Sequence, residues 1–380
     1  MKLKKEIAAI INIIQCHLGI IKKLDQSLFT EINWDRFEKA LTYHALRPMA
    51  FEQFQKSTIE IPSNVQKMFV AFAQNQAIAH LSNTLEVERL KKLFKENDIK
   101  MLPFKGVVYQ NDFYKNGLRE SGDIDLLIKP AQLKETIPLL LKDGYQFSLD
   151  LKNYNTKEIC KDLLKAKEQY EFPFYKDNHH IDLHWNLTYT FLPFEIPLDF
   201  VWNLENKTEQ MFWTMLNHHG GKEYWLKLKD LVDFGAFIEK YGEEMDWDKI
   251  LKLAKTFKLE TVLLNGFYLL KEYLDLELPK DIDAKLSQQE YRALNDTITY
   301  WNKSKHWGYP IPRISYEKIL IQSQDEGFNK WNYWKDFYKA YTVPNIIEPP
   351  RFINFPERFH FLNFISKVIS YIIKKTFGIK

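Results

Sequence analysis

The sequence predicts an α+β fold, with a small unit of alternating strands and helices set inside a mainly helical chain. Three observations predict it. Glycine is scarce, 13 residues in 380, about half the usual ~7%, which favours helix over tight turns. Apolar residues recur at helical spacing before about residue 95 and again after about residue 205. Between these regions, short strand-like runs alternate with short helical ones from 99 to 190.

Residues 1–95 read as an N-terminal helical region. Met1 to Lys5 is basic and Ile7 to Ile14 mostly apolar, but Glu6 and Asn12 interrupt the run and no small-residue cleavage site follows. An amphipathic helix is expected there, not a signal peptide. Leu81, Leu85, Leu90, Leu93 and Phe94 recur near helical spacing with charges between them, and Asn97-Asp98 closes that helix. Pro62-Ser63-Asn64 marks an earlier break.

Residues 96–200 read as the α/β core. Ile99 to Phe104 is a strand ended by Lys105-Gly106, and Val107 to Asp112 a helix. Asp123 to Ile128 is a strand stopped by Lys129-Pro130, Gln132 to Lys142 a helix stopped by Asp143-Gly144, and Tyr145 to Leu149 a further strand. Phe172 to Lys176 and His180 to Trp185 make a hairpin around Lys176-Asp177-Asn178. Residues 201–300 are helical, with Trp213, Leu216, Trp225, Leu228, Leu231, Val232, Phe234 and Phe237 supplying a core. Residues 301–380 form an aromatic-rich extension broken by Pro310, Pro312, Pro344, Pro349, Pro350 and Pro356. From Phe361 it ends in a helix that is apolar on one side, with Lys367, Lys374, Lys375 and Lys380 on the other.

Composition excludes several classes. Lysine and arginine number 53 against 50 acids, too balanced for a dedicated nucleic-acid coat protein. No G-x-G-x-x-G and no G-x-x-x-x-G-K-[ST] occurs, which sets aside dinucleotide-binding and P-loop folds. Cys16 and Cys160 make neither a disulfide framework nor a zinc cluster, so a reducing, cytoplasmic location is expected. No run reaches about 18 apolar residues, so no membrane span is expected.

The most informative stretch is Arg119-Glu120-Ser121-Gly122-Asp123-Ile124-Asp125-Leu126-Leu127-Ile128. Two aspartates two apart on a strand point to one face, while Ile124, Leu126 and Ile128 point into a core. Two neighbouring carboxylates repel each other, and a divalent cation removes that cost. A solvated strand end is the plainer reading of a bare D-x-D. The third acid shifts the balance: Asp182, in His180-Ile181-Asp182-Leu183-His184-Trp185, again lies between apolar neighbours and shares a face with His184. Carboxylates on adjacent strands suit metal ions that clamp the attacking and leaving oxygens of a phosphoryl or nucleotidyl transfer. Lys105-Gly106 at a strand-to-helix turn adds free N–H groups, close backbone approach and positive charge, a phosphate-binding combination.

These residues resemble the nucleotidyltransferase superfamily of DNA polymerase β-like fold. More closely, they resemble the broad bacterial group called nucleotidyltransferases of type 5. The matching pieces, in order, are Pro103-Phe104-Lys105-Gly106, Tyr114, Leu118-Arg119, and Ser121 to Ile128. Gly144-Tyr145, Ile181 to Trp185, His218 to Lys222, Trp225 to Asp233 and Asp246-Trp247 follow. Together they span roughly residues 80 to 275. The Arg-x-Ser-x-Asp-Ile-Asp run is also similar to that of abortive-infection and toxin-type nucleotidyltransferases.

The resemblance implies a small polymerase β-like sheet core flanked by helical regions, the later one closing over a nucleotide. It implies that Asp123 and Asp125 form a pair binding Mg²⁺ or Mn²⁺, with Asp182 as the third catalytic and metal-binding acid. Lys105, Gly106, Arg119 and Ser121 would hold the triphosphate of ATP or another NTP, with Lys227 and Asp233 as further nucleotide-binding residues. The reaction implied is transfer of a nucleoside monophosphate to an acceptor hydroxyl, with pyrophosphate released. The acceptor stays open among a small molecule, a protein and a tRNA, with RNA not favoured at near-neutral charge. One departure is that Val107 follows Gly106 where the superfamily has a second Gly or a Ser. That leaves a second possibility, a catalytically silent module that binds nucleotide or a partner.

Other residues have plainer readings. Lys227 and Lys229 flank Leu228 and suit a solvated helix face, and Asp233 suits a buried hydrogen bond as well as a ligand role. His184 reads as a hydrogen-bond partner of Asp182, not as part of a zinc site with His179 and His180. The aromatic residues suit a core or base stacking. The C-terminal basic helix suits packing on the body, a partner or a membrane surface.

Overall fold

The computed structural model describes residues 2–114, 117–147, 154–166, 169–286, 294–303, 313–325, 327–342, 353, 355–356 and 359–377. It is an α+β protein with a mixed sheet of five strands, β1 (Met101–Phe104), β2 (Ile124–Ile128), β3 (Gln146–Phe147), β4 (Glu171–Lys176) and β5 (His179–His184), in the order β1-β2-β5-β4-β3.

Each strand follows from its sequence. β2 lies between β1 and β5 and is buried at all five positions, which is why it reads as a near-continuous apolar run broken only by Asp125. β4 and β5 pair antiparallel, with Phe172 opposite Leu183 and Phe174 opposite Ile181. All four of these side chains have no exposed surface, so this alternation fixes the register. Asp177 turns the hairpin with a left-handed φ of +51°, which Asp tolerates better than most residues. Of the strand expected from Tyr145 to Leu149, β3 includes Gln146 and Phe147, and residues 148 and 149 lie outside the described residues.

The chain divides into two compact units whose boundaries run through β1 and β2. One comprises residues 90–102, 125–195 and 327–380. It contains most of the sheet, the helix Leu133–Lys142 and the helix Thr156–Lys165. The latter starts on a capping box, with Asn155 accepting from the Glu158 amide at 3.0 Å and Glu158 accepting from the Asn155 amide at 3.0 Å.

The other unit comprises residues 1–89, 103–124 and 196–326 and is helical. The helix Lys5–His17 buries Ile7, Ile10, Ile13 and Ile14 completely. Asn33, Asn206 and Asp246 cap the helices that follow them. A second apolar centre gathers Trp213, Leu228, Leu231, Val232 and Phe237, all without exposed surface.

The helix Ser63–Glu96 runs through both sets of residues. Its buried stripe is Asn83, Val87, Leu90 and Phe94. Leu81 and Leu85 share the helical spacing but are 62% and 64% exposed. The sequence pattern joined them to Leu90 and Phe94, but they lie on a different side of the cylinder from the 83–87–90–94 row.

Candidate active site

Asp123, Asp125 and Asp182 come together. One carboxylate oxygen from each lies within 4.8 Å of the others. Asp125 lies on β2 and Asp182 on the neighbouring β5, while Asp123 immediately precedes β2. Asp125 is buried and the other two are half-buried.

Histidines back two of these acids. His184 Nε2 lies 3.0 Å from Asp125 Oδ1, and its Nδ1 lies 3.3 Å from Glu171 Oε2. His180 Nε2 lies 3.0 Å from Asp182 Oδ1, with the His180 ring stacked on Tyr175. The sequence reading paired His184 with Asp182, but the structure places it against Asp125. Histidines that orient carboxylates in this way commonly tune a metal-binding group.

The segment that delivers Asp123 is held residue by residue. Gly117, at φ +77°, crosses the long helix so closely that a Cβ there would lie 2.7 Å from Ala77 Cα. The Arg119 amide donates to Gln110 Oε1 at 2.8 Å. Glu120 accepts from Arg47, whose guanidinium sits 3.6 Å from the Phe72 ring centroid. The Ser121 carbonyl accepts from Gln76. Gly106 packs beneath the same segment, where a Cβ would stand 2.5 Å from Ser121 Oγ and 3.4 Å from the Asp123 carbonyl. A Cβ at 106 would therefore press on the Ser121 hydroxyl, and Ser121 meets the Lys105-Gly106 turn.

Arg119 and Asp233 meet in the interior. Arg119 Nε donates to Asp233 Oδ1 at 2.9 Å, and a terminal guanidinium nitrogen donates to Oδ2 at 2.8 Å. Their side chains are 4% and 0% exposed. Tyr114 donates to Asp233 Oδ1 at 2.6 Å, and His219 Nε2 lies 2.9 Å from Oδ2. His219 Nδ1 faces Asp230 Oδ1 at 3.2 Å. Burial opposes ionisation of Asp233, but the Arg119 charge and the His219 and Arg119 hydrogen bonds hold its carboxyl well below the usual range. Burial likewise opposes the Arg119 charge, and Asp233 more than restores it. Burial raises the Asp230 carboxyl, outweighing the lowering effect of His219, Lys229 and Lys227.

A group of cations lies in this unit as well. Lys105 is almost buried and has φ +56° and ψ −129°, a conformation that favours glycine. Burial drives His218 well below its ordinary value, and the charges of Lys105, Lys222 and Lys229 push it further. His218 and His219 lie in a π-helical turn, Leu216–Lys222. Lys227 sits at the N-terminus of the helix Leu228–Tyr241, half-buried, and Lys229 lies in its first turn. Burial and the Arg119 charge lower Lys229.

Sequence reasoning did not single out Gln76, Gln110, Arg47 or Asp230. Polar residues inside apolar helical runs were the available signal, but it does not name their partners.

A small mixed sheet with three carboxylates gathered on and just before two adjacent strands, in a chain that is otherwise mainly helical, defines the class: a nucleotidyltransferase-like α+β protein. The chain belongs to the family described as uncharacterised nucleotidyltransferases, whose model matches residues 30–275. Comparison with curated proteins and with solved structures gives no match.

Proposed function

We propose that the chain transfers a nucleoside monophosphate from an NTP to a hydroxyl of an acceptor and releases pyrophosphate. The observation that carries this reading is the convergence of Asp123, Asp125 and Asp182 within 4.8 Å. Three carboxylates are a hard, all-oxygen donor set, which fits Mg²⁺ or Mn²⁺. Such an ion, when bound, supplies neutralisation of phosphate charge.

In this reading the chain's own residues position and bind. Lys105 supports it most directly: a lysine held where glycine is cheaper, at a cost of about 1–3 kcal/mol, points to a use for its charge. Lys105 and the Gly106 turn, with Ser121 against it, hold the triphosphate. Lys222, Lys227 and Lys229 add positive potential, and an uncharged His218 leaves a neutral donor or acceptor among them. Arg119 and Asp233 act as positioning residues, because their hydrogen-bonding groups serve each other. The acceptor oxygen bonds to the α-phosphorus, the bond to the bridging oxygen breaks with its electron pair going to pyrophosphate, and Asp182 receives the acceptor proton.

The test is incubation with each α-³²P-labelled NTP, Mg²⁺ or Mn²⁺, and lysate divided into protein, RNA and small-molecule fractions. Label in one fraction that disappears with Asp123→Asn supports the reading and names the acceptor class. NTP binding without any labelled product would instead favour a silent binding module.

A further inference from the structure

The C-terminal part of the sheet-containing unit presents an amphipathic helix facing the wrong way. In the helix His360–Phe377, the buried positions among the described side chains are Asn363, Ser366 and Ser370. Asn363, with no exposed surface, accepts from the Phe355 amide at 2.7 Å and donates to its carbonyl at 3.0 Å, and Ser366 donates to the Ile353 carbonyl. The inward face is thus polar and satisfied.

The outward face is apolar. Phe361, Phe364, Ile365, Val368, Ile369 and Ile372 are each 39–55% exposed and follow helical spacing. The helix Lys330–Thr342 lies against it, with Tyr338 donating to the Phe361 carbonyl and its ring 5.5 Å from Phe364. That helix adds Trp331 at 78% exposure, Trp334 at 42% and Tyr338 at 38%. Contiguous exposed apolar surface of this kind marks an interaction site.

Charge identifies the partner. Residues 327–380 hold nine lysines and arginines against three acids, and His360–Phe377 contains no acid at all. That excess of six positive charges exceeds the +3 of the whole chain. A second copy docking through the same face would bring two such cationic segments together. An anionic bilayer attracts them, by about 1 kcal/mol per basic residue near its surface. Tryptophan and tyrosine at the edge of an aliphatic face are the side chains that settle at the headgroup boundary. Among the described residues no helix is long and apolar enough to cross a membrane, so the helix would lie along the surface.

We propose that the helices Lys330–Thr342 and His360–Phe377 dock the protein on the surface of a bilayer rich in anionic phospholipid. This inference is independent of the transfer activity.

The test is flotation of the full chain with vesicles of phosphatidylcholine alone and of phosphatidylcholine with about 30% phosphatidylglycerol, at low and high salt. Binding to the anionic vesicles is expected to exceed binding to neutral ones by about tenfold or more and to weaken with salt. Val368→Asp with Ile369→Asp should abolish it, with the far-UV circular dichroism unchanged. If that variant misfolds, Trp331→Ala, at an exposed position, should still weaken binding several-fold. No binding to either vesicle, or equal binding to both, overturns the proposal. So does a dimer in light scattering that the Val368/Ile369 variant dissociates while vesicles capture nothing.

Discussion

Asp233 accepts both forks of the Arg119 guanidinium, across 114 positions of sequence, with almost no surface exposed on either side chain. This pair ties the segment leading to Asp123 to the helix Leu228–Tyr241. Its value is geometric, since an intact buried ion pair contributes little net stability, whereas one left half-made is costly.

Arg119→Lys and Asp233→Asn are therefore expected to destabilise the fold. Lysine keeps the charge but cannot reproduce the two-pronged contact. Removing either partner should cost about 3–5 kcal/mol, read as a lowered urea midpoint. Wild-type stability in both variants would show that the pair does not hold the segment.

Gly106→Ala places a methyl group 2.5 Å from Ser121 Oγ. Transfer activity and melting temperature should both fall, by about 1–3 kcal/mol in stability. Adding Ser121→Ala removes the hydroxyl that clashes, so the double variant should recover most of the melting temperature. Additive losses in that cycle would place the cause elsewhere.

Asp123→Asn should abolish metal-dependent transfer while leaving the fold intact, because its half-buried carboxylate lies at the head of β2 and not within the core. Loss of several kcal/mol of charge stabilisation corresponds to about a thousandfold or more in rate. Calorimetry with Mn²⁺ should show weakened binding in the same variant. Full activity would remove the aspartates from the mechanism.

His44 gives the fold an acid limit. The ring has no exposed surface, and Nδ1 accepts from the Leu228 amide at 3.1 Å. Burial and the Lys227 charge lower it to about 3. The unfolded chain takes up the proton near pH 6.5 while the folded chain refuses it. Stability is thus complete above pH 6.5 and falls as pH drops towards about 3, by about 1.4 kcal/mol per unit. Thermal melts of wild type and His44→Gln from pH 7.5 to 4.5 should show a weaker acid slope in the variant. Parallel slopes would assign the acid limit to other groups.

The sheet core was largely legible because its signals are local. Alternation in Phe172–Phe174 and Ile181–Leu183 declares a hairpin, and acids embedded in such runs announce themselves as Asp125 and Asp182. Asn155 and Glu158 spell a capping box, but the Thr156–Lys165 helix is only ten residues long and buries just three side chains, so apolar periodicity does not declare it. The clamp around Arg119–Ser121 was not legible. Gln76, Arg47 and Asp233 reach it from 45, 73 and 114 positions away, and nothing in a glutamine's own neighbourhood reveals a partner that distant. Leu81 and Leu85 failed for a related reason: periodicity finds a helix but not which of its sides meets a neighbour.

The discontinuous build of the helical unit sets the order in which a ribosome can complete it. The Lys4 amide bonds Asn302, Gln15 bonds Asp275, and His44 bonds Leu228. The isoleucines of the first helix therefore emerge long before the residues near 275 that complete their surroundings. At ordinary elongation rates the interval is on the order of ten to fifty seconds. During it the first helix already has the helices Trp34–His44 and Arg47–Gln55 against it but lacks the helix Glu260–Leu274, while the hairpin of β4 and β5 is already able to form. Chaperone engagement should concentrate in that window, and yields on expression should respond to translation speed between residues 17 and 275 more than to speed after them.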